Sequence, residues 1–262
     1  SSSQDYFERL DEFYVIPQIE KRIEFIHQQL SNFEKEGFTI DKDEELIREV
    51  AILTEYPKLV SGKFLEKFLQ LPEELIRTTI KHHQRSFTVH KDGKITNIFV
   101  SFIDKPADIK DNGRKGYEKV INARLEDARY YYEKDVQVKL ESFNEKLVDI
   151  VFQKELGTLY DKVERIIELS RNIIEILDLN KISDKILRTA RLCKADISCH
   201  VVYEFPELQG IMGRIYALKD GEDEDVAWGI QEHYMSVPET VEGAVVGIAD
   251  RIDTIAGNFV IG

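Results

Sequence analysis

The sequence predicts an α+β fold in two domains: a mixed helix and antiparallel-strand domain over residues 1–136, then an all-helical domain over 137–262. Apolar residues recur at three- and four-residue steps through most of the chain, which is helical spacing. Between Ser86 and Phe102 the period drops to two around Asp92-Gly93, a dipeptide that favours a tight hairpin. These strand signals sit among helices without a strand-helix-strand rhythm, so a short antiparallel sheet is expected.

From Tyr6 to Glu36, residues Phe13, Ile16, Ile19, Ile23, Ile26 and Leu30 form a helical stripe that Gly37 stops. A second helix is expected from Lys42 to Leu53, capped by Asp41 with Glu44 three residues on. Pro57 closes it off, because the residue before a proline is pushed out of the helical region. Leu59 and Val60 read as a short strand, Lys63 to Leu69 as a helical turn or two, and Pro72 opens a helix from Glu73 to His82. Ser86–His90 and Ile95–Phe102 are the hairpin strands, and Ile103 to Arg114, with Pro106 and Gly113, has loop composition.

Lys115 to Asp135 reads as a long helix at the joint of the two domains. It carries Tyr130, Tyr131 and Tyr132 beside Arg124 and Asp127. Three consecutive tyrosines cannot share one helix face, so at least one is core. The ring with its polar tip suits packing between domains, and base stacking is the sharper alternative. Beyond Leu140 only helices are expected. They include the stripe from Leu159 to Leu177, Ile186 to Ile197, Asp225 to Tyr234 anchored by Trp228, and Glu242 to Phe259, where Gly243, Gly247 and Gly257 permit close contact. Asp220 to Asp225 reads as a solvated acidic loop that repels phosphate.

With 262 residues, 42% of them hydrophobic, the chain can bury substantial cores, and its net charge of −13 argues against non-specific nucleic-acid binding. A local basic face is still compatible with that average. Cys193 and Cys199 are too few for a disulfide framework, so a reduced, cytoplasmic setting is expected. The longest apolar run near the end, Gly243 to Ala249, is too short to cross a bilayer, and neither a membrane nor DNA is an expected partner. Ser1-Ser2-Ser3 reads as an added or unstructured end rather than a signal peptide.

Several segments together resemble the beta subunit of bacterial two-subunit glycyl-tRNA synthetase: Glu55-Tyr56-Pro57 with Gly62-Lys63-Phe64, His83-Gln84-Arg85-Ser86-Phe87, Ala123-Arg124-Leu125-Glu126-Asp127-Ala128, Lys194-Ala195-Asp196, Glu204 to Gly210, and Ile248 to Gly257. Their order covers nearly all of the chain after residue 40. Tyr117 departs from the pattern, standing where the family carries Asn, so a polar contact made there is expected to be absent. The resemblance implies a piece of a longer subunit lacking both ends. It also implies a separate alpha subunit that holds the catalytic core and uses ATP and Mg2+, with this portion needing no cofactor and carrying no catalytic residue. The expected partners are that alpha subunit and tRNA(Gly), and the expected role is a non-catalytic share in glycine attachment.

Within that family the helical half resembles an HD domain, whose metal-dependent hydrolases gather histidines and aspartates around an ion. Asp250 and Asp196 match two of the carboxylates, but Ala195 stands where the paired His belongs and Lys162 where the first His belongs. Methyl and ammonium groups cannot hold a cation or activate water, so the site is expected to be degenerate and metal-free. Arg251 or Lys194 is the expected partner of the remaining carboxylates, and a rearranged site using His200 and His233 is the alternative. Three basic groups are RNA candidates: Lys81, His82, His83 and Arg85; Arg114, Lys115 and Lys119; and Arg188, Arg191 and Lys194. Exposed Lys and Arg are the usual content of a surface, so each group competes with that plain reading. For Lys81 to Arg85 it is a solvated helix end. The competing functions are an HD-type nucleotide phosphohydrolase and a structural scaffold that binds only the alpha subunit.

Overall fold

The computed structural model describes residues 9–10, 12–107 and 109–261. The chain divides into two compact units, Ser1–Arg129 and Tyr130–Gly262. That division falls inside the long helix of the joint, whereas the sequence suggests a boundary near Val136, just beyond the helix.

In the first unit, helix α1 spans Ile19–Glu34. The expected start at Tyr6 lies outside the described residues; Arg9, Leu10 and Glu12 are helical, but the expected single helix is interrupted before Ile19, where Tyr14 takes φ 58° and Pro17 excludes the residue before it from a helix. Phe13 is exposed rather than part of the core. Gly37, at φ 90°, turns the chain into strand β1, Thr39–Ile40. Helix α2, Glu44–Leu53, is capped by Asp43 and not by Asp41: the Asp43 carboxylate accepts from the backbone of Glu45 and Leu46, each at 3.0 Å. Asp41 instead pairs with Arg77 at 2.9 Å.

Strand β2, Pro57–Lys63, is longer than Leu59 and Val60 suggested, and a 3-10 turn follows over Glu66–Gln70. Helix α3, Glu73–Gln84, starts after Pro72 as expected. The hairpin is strand β3, Phe87–Lys91, and strand β4, Lys94–Asp104. Asp92 and Gly93 both have positive φ, as a two-residue turn between right-twisted strands requires. The sheet order is β1-β3-β4-β2, all antiparallel, with β2 paired from Pro57↔Asp104 to Lys63↔Ile98. One face of the sheet, through Phe87, Val89, Val100 and Phe102, packs on Ile26 and Leu30 of α1 and on Leu46, Ile47 and Val50 of α2.

Helix α4, Asn112–Asp135, begins inside the stretch read as loop. Its Glu118 and Asn122 side chains accept from the backbone of Lys63 (3.1 Å) and Leu65 (2.8 Å), which fastens the helix to the end of β2. Tyr117 still makes a polar contact, its hydroxyl donating to the Phe102 carbonyl at 2.9 Å.

The second unit is mainly helical, but a two-stranded ribbon interrupts the expected pattern: β5, Val151–Gln153, and β6, Gly157–Thr158. Thr158 and Asp161 form a capping box that starts helix α5, Leu159–Ile176. Helix α6 runs Ser183–Leu192, after which the expected continuation to Ile197 tightens into a 3-10 turn, Ala195–Ser198. Helices α7 (His200–Glu204), α8 (Ile211–Asp220), α9 (Glu224–Glu232) and α10 (Val241–Ile261) complete the unit. Trp228 is not the buried anchor of α9. It lies 41% exposed under the Arg214 guanidinium, while Val226, Ala227 and Ile230 face the core.

The acidic run is a clasp rather than a free solvated loop. Glu222 pairs with Arg188 at 2.6 Å, Asp223 and Asp225 hold Lys185 at 2.9 and 2.7 Å, and Asp220 accepts from the Leu140 backbone at 2.6 Å.

Candidate functional site

Lys162 and Asp250, two of the residues for which the sequence suggested an HD resemblance, meet in a buried ion cage assembled by α5, α10 and the segments after α6 and α9. Lys162 projects from the first turn of α5, and a single helical turn later Arg165 shares its face. On α10, Asp250, Asp253 and Thr254 present oxygens toward them by the same three- and four-residue spacing. Lys162 Nζ lies 2.9 Å from Asp253 Oδ2 and 2.8 Å from Thr254 Oγ1, and touches Asp250 Oδ1 at 2.8 Å as a charge contact not aligned as a hydrogen bond. Lys194 Nζ donates to the other Asp250 oxygen at 2.7 Å and reaches His233 Nε2 at 2.9 Å, with the Tyr234 ring 4.1 Å away. Arg165 closes the cage through Asp253 at 2.5 Å.

Three cations therefore face two carboxylates in a largely dry site. Burial alone raises the Asp250 carboxyl, but Lys194 and Lys162 more than reverse it and hold it at about 2. Asp253 is likewise lowered, with burial outweighed by Arg165 and Lys162. His233 is pushed well below its ordinary value by burial and by the Lys194 charge, so its imidazole is neutral. Its Nδ1 donates to the Ile230 carbonyl at 2.6 Å, leaving Nε2 as acceptor for the lysine.

This donor set does not fit a divalent cation. Both Asp250 oxygens face an ammonium, and His233 spends its free nitrogen on Lys194. His200 belongs elsewhere, its Nδ1 bound to Asp135 at 2.7 Å, so a rearranged pair of histidines around Asp250 is not assembled. Among the described residues no group of three or more His, Cys, Asp or Glu is placed to hold a metal.

Asp196 stands apart from the cage. Fully buried, it accepts from the backbone of Gly210 at 2.6 Å and Gly213 at 2.9 Å and so satisfies the start of α8. Burial outweighs those two donors and raises its carboxyl to about 6. Of the two partners expected for the carboxylates, Lys194 takes the role with Asp250. Arg251 donates instead to the Met235 carbonyl at 2.7 Å. The cysteines are both buried and free, and burial pushes the Cys193 thiol up to about 12. Ala195, fully buried beside the cage, contributes no polar atom.

The family model described as "Glycyl-tRNA synthetase beta subunit" matches residues 1–262. The chain belongs to that family. Named relatives agree: "Glycine--tRNA ligase beta subunit" of Thermotoga sp. (strain RQ2) is 56% identical over 259 residues, covering 98% of this chain and 38% of the relative. The corresponding proteins of Clostridioides difficile (41% identical over 268 residues; 100% of this chain, 39% of the relative) and Moorella thermoacetica (40% over 263; 97% and 38%) align in the same way. The chain thus spans under two-fifths of the length of these beta-subunit relatives.

The basic groups of this beta-subunit chain separate by how far their charge is already used. Lys81 pairs with Asp43, and Arg85 pairs with Glu49 at 2.5 Å from a left-handed backbone position, φ 48°. His82 and His83 lie edge to face at 5.3 Å on the same helix end. Arg114 is bracketed by Asp111 at 2.9 Å and Glu118 at 3.2 Å, which raise its pKa further. Arg188 is forked onto Glu222 and also meets Glu141 at 2.9 Å; Arg191 lies 3.8 Å from Glu164. Lys194 is corrected outright: it is 4% exposed, locked to Asp250, and cannot belong to a surface for phosphate. By contrast Lys115 is exposed and donates only to the Lys110 carbonyl, at 3.4 Å, and Lys119, one turn on, is exposed with no ion pair among the described residues.

At the joint, Arg124 pairs with Asp127 on its own helix at 3.4 Å, both exposed. Tyr132 stacks on Tyr216 with centroids 6.0 Å apart, Tyr131 meets Tyr130 edge to face, and Tyr130 is exposed. No helix among the described residues is long and apolar enough to cross a membrane.

Proposed function

We propose that this chain is the non-catalytic, tRNA-supporting portion of a glycine–tRNA ligase beta subunit. It positions tRNA(Gly) for a separate alpha subunit that carries out the ATP- and Mg2+-dependent chemistry in the cytoplasm. The observation that carries the non-catalytic half of this reading is the pair of ammonium groups on Asp250. They fill a hydrolase-like pocket with fixed positive charge, supplying rigidity where a phosphohydrolase needs a cation and an activated water. The family match over the whole chain supports the tRNA half.

Lys115 and Lys119 favour a phosphate contact at the start of α4, since two unneutralised cations one helical turn apart can meet adjacent phosphates of a backbone. Their test is tRNA affinity against salt for the full-length subunit with its alpha partner. Lys115→Glu with Lys119→Glu is expected to weaken binding and to flatten the logarithmic salt dependence by roughly one to two phosphate contacts. Unchanged affinity with an unchanged slope rejects this face.

A further inference from the structure

We propose that the groove around His200 in the helical unit binds one unstacked nucleotide of single-stranded RNA. The proposal rests on the tRNA reading above and gives it a place. Asp135, whose side chain is fully buried, accepts four hydrogen bonds: Oδ1 from the His200 backbone (2.9 Å) and His200 Nδ1 (2.7 Å), Oδ2 from the Val201 backbone (2.9 Å) and the Tyr216 hydroxyl (2.9 Å). A histidine that gives its Nδ1 proton to a buried carboxylate has its tautomer and its ring orientation fixed, with Nε2 left for an outside partner. The His200 side chain is half exposed, and it borders a groove of about 560 Å³, a size suited to a small ligand.

The other walls match the parts of a nucleotide. Tyr131 and Tyr203 supply aromatic faces; Tyr203 is 85% exposed, so its ring is spent on no core. Bases splayed out of single strands stack on such rings. Lys146 offers a donor for a phosphate and the His200 Nε2 lone pair an acceptor for a ribose hydroxyl, while Asp149 and Glu204 offer acceptors for exocyclic amino groups of a base edge. A groove meant only to receive an apolar protein segment has no use for an imidazole oriented at its rim by a buried carboxylate.

The experiment uses the full-length subunit with its alpha partner and two probes, a fluorescein-labelled RNA pentamer of adenylates and intact tRNA. Tyr203→Ala is expected to weaken the pentamer by about tenfold or more, Tyr203→Phe to leave it within about twofold, and His200→Gln to weaken it. Tyr203 is exposed, so its variants keep the fold readable even if His200→Gln lowers stability. Pentamer affinity unchanged in Tyr203→Ala, or no pentamer binding by the wild type, overturns the groove assignment while tRNA binding by the wild type leaves the broader reading standing. Wild-type protein that binds neither probe overturns both. Loss of alpha-subunit association with RNA affinity unchanged overturns the proposal and gives the groove to a protein.

Discussion

Lys194 shows how a residue's surroundings decide its role. In sequence it is a lysine among arginines, indistinguishable from a surface cation; in the fold it is sealed beneath Tyr234 and bound to Asp250, 56 residues away. A buried pair with one member removed leaves an uncompensated charge, so Lys194→Met is expected to cost about 3–5 kcal/mol in urea unfolding, and Asp250→Asn added to it to recover part of the loss. Asp196 carries a second consequence. Its folded pKa of about 6 lies above the ordinary 3.8, so its stabilising contribution is complete below pH 3.8 and is lost as pH rises through 6. His233 has the opposite sign: its neutral, buried ring contributes above pH 6.5 and loses that contribution as pH falls. Asp196→Asn keeps an acceptor for the two glycine amides but cannot ionise. Its stability relative to wild type is expected to be about 2 kcal/mol better at pH 8 than at pH 4, read from Tm or urea midpoints across that range.

The elements show which parts of the fold were legible. Hairpin and helices were, because period and turn chemistry are local: Asp92-Gly93 needs two positive φ values and Pro72 fits a helix start. Asp43 and Asp41 are two residues apart and chemically equal, so the cap could be chosen only once Arg77 was seen to claim Asp41. The ribbon Val151–Gln153 with Gly157–Thr158 is too short to show a period. Trp228 misled because its size suggests a core, whereas its stacking partner Arg214 lies on another helix. The small residues of α10 do sit at close contacts, as their sequence suggests. A Cβ on Gly247 would lie 2.9 Å from the His233 backbone oxygen, which cannot move aside, and 2.6 Å from the Arg251 guanidinium. Gly247→Ala therefore gains about 1 kcal/mol of helix propensity yet is expected to lose about 1–3 kcal/mol overall through overpacking, measured by thermal or urea unfolding.

Across the whole molecule, net charge and distribution point in different directions. The chain is acidic by 13 charges, and most of its basic residues named above are consumed internally: Arg188 by Glu222 and Glu141, Lys185 by Asp223 and Asp225, Lys162 and Lys194 by Asp250. The acidic clasp that neutralises Arg188 and Lys185 could not be read from composition, since a run of like charge looks solvated until its partners are placed. The sequence offers Lys162 and Ala195 where the HD resemblance expects histidines, but not the Asp253 and Arg165 that complete the cage around Lys162. The three-dimensional arrangement adds what the lysines do there, since two carboxylates of α10 need those ammonium groups to remain buried. The proposed role is holding RNA rather than performing chemistry, and the holoenzyme can separate the two. With Lys115→Glu and Lys119→Glu in the full-length beta subunit, glycine-dependent ATP–pyrophosphate exchange is predicted to stay at the wild-type rate while kcat/KM for tRNA charging falls about tenfold or more; equal loss of both activities, or no loss of either, would contradict it.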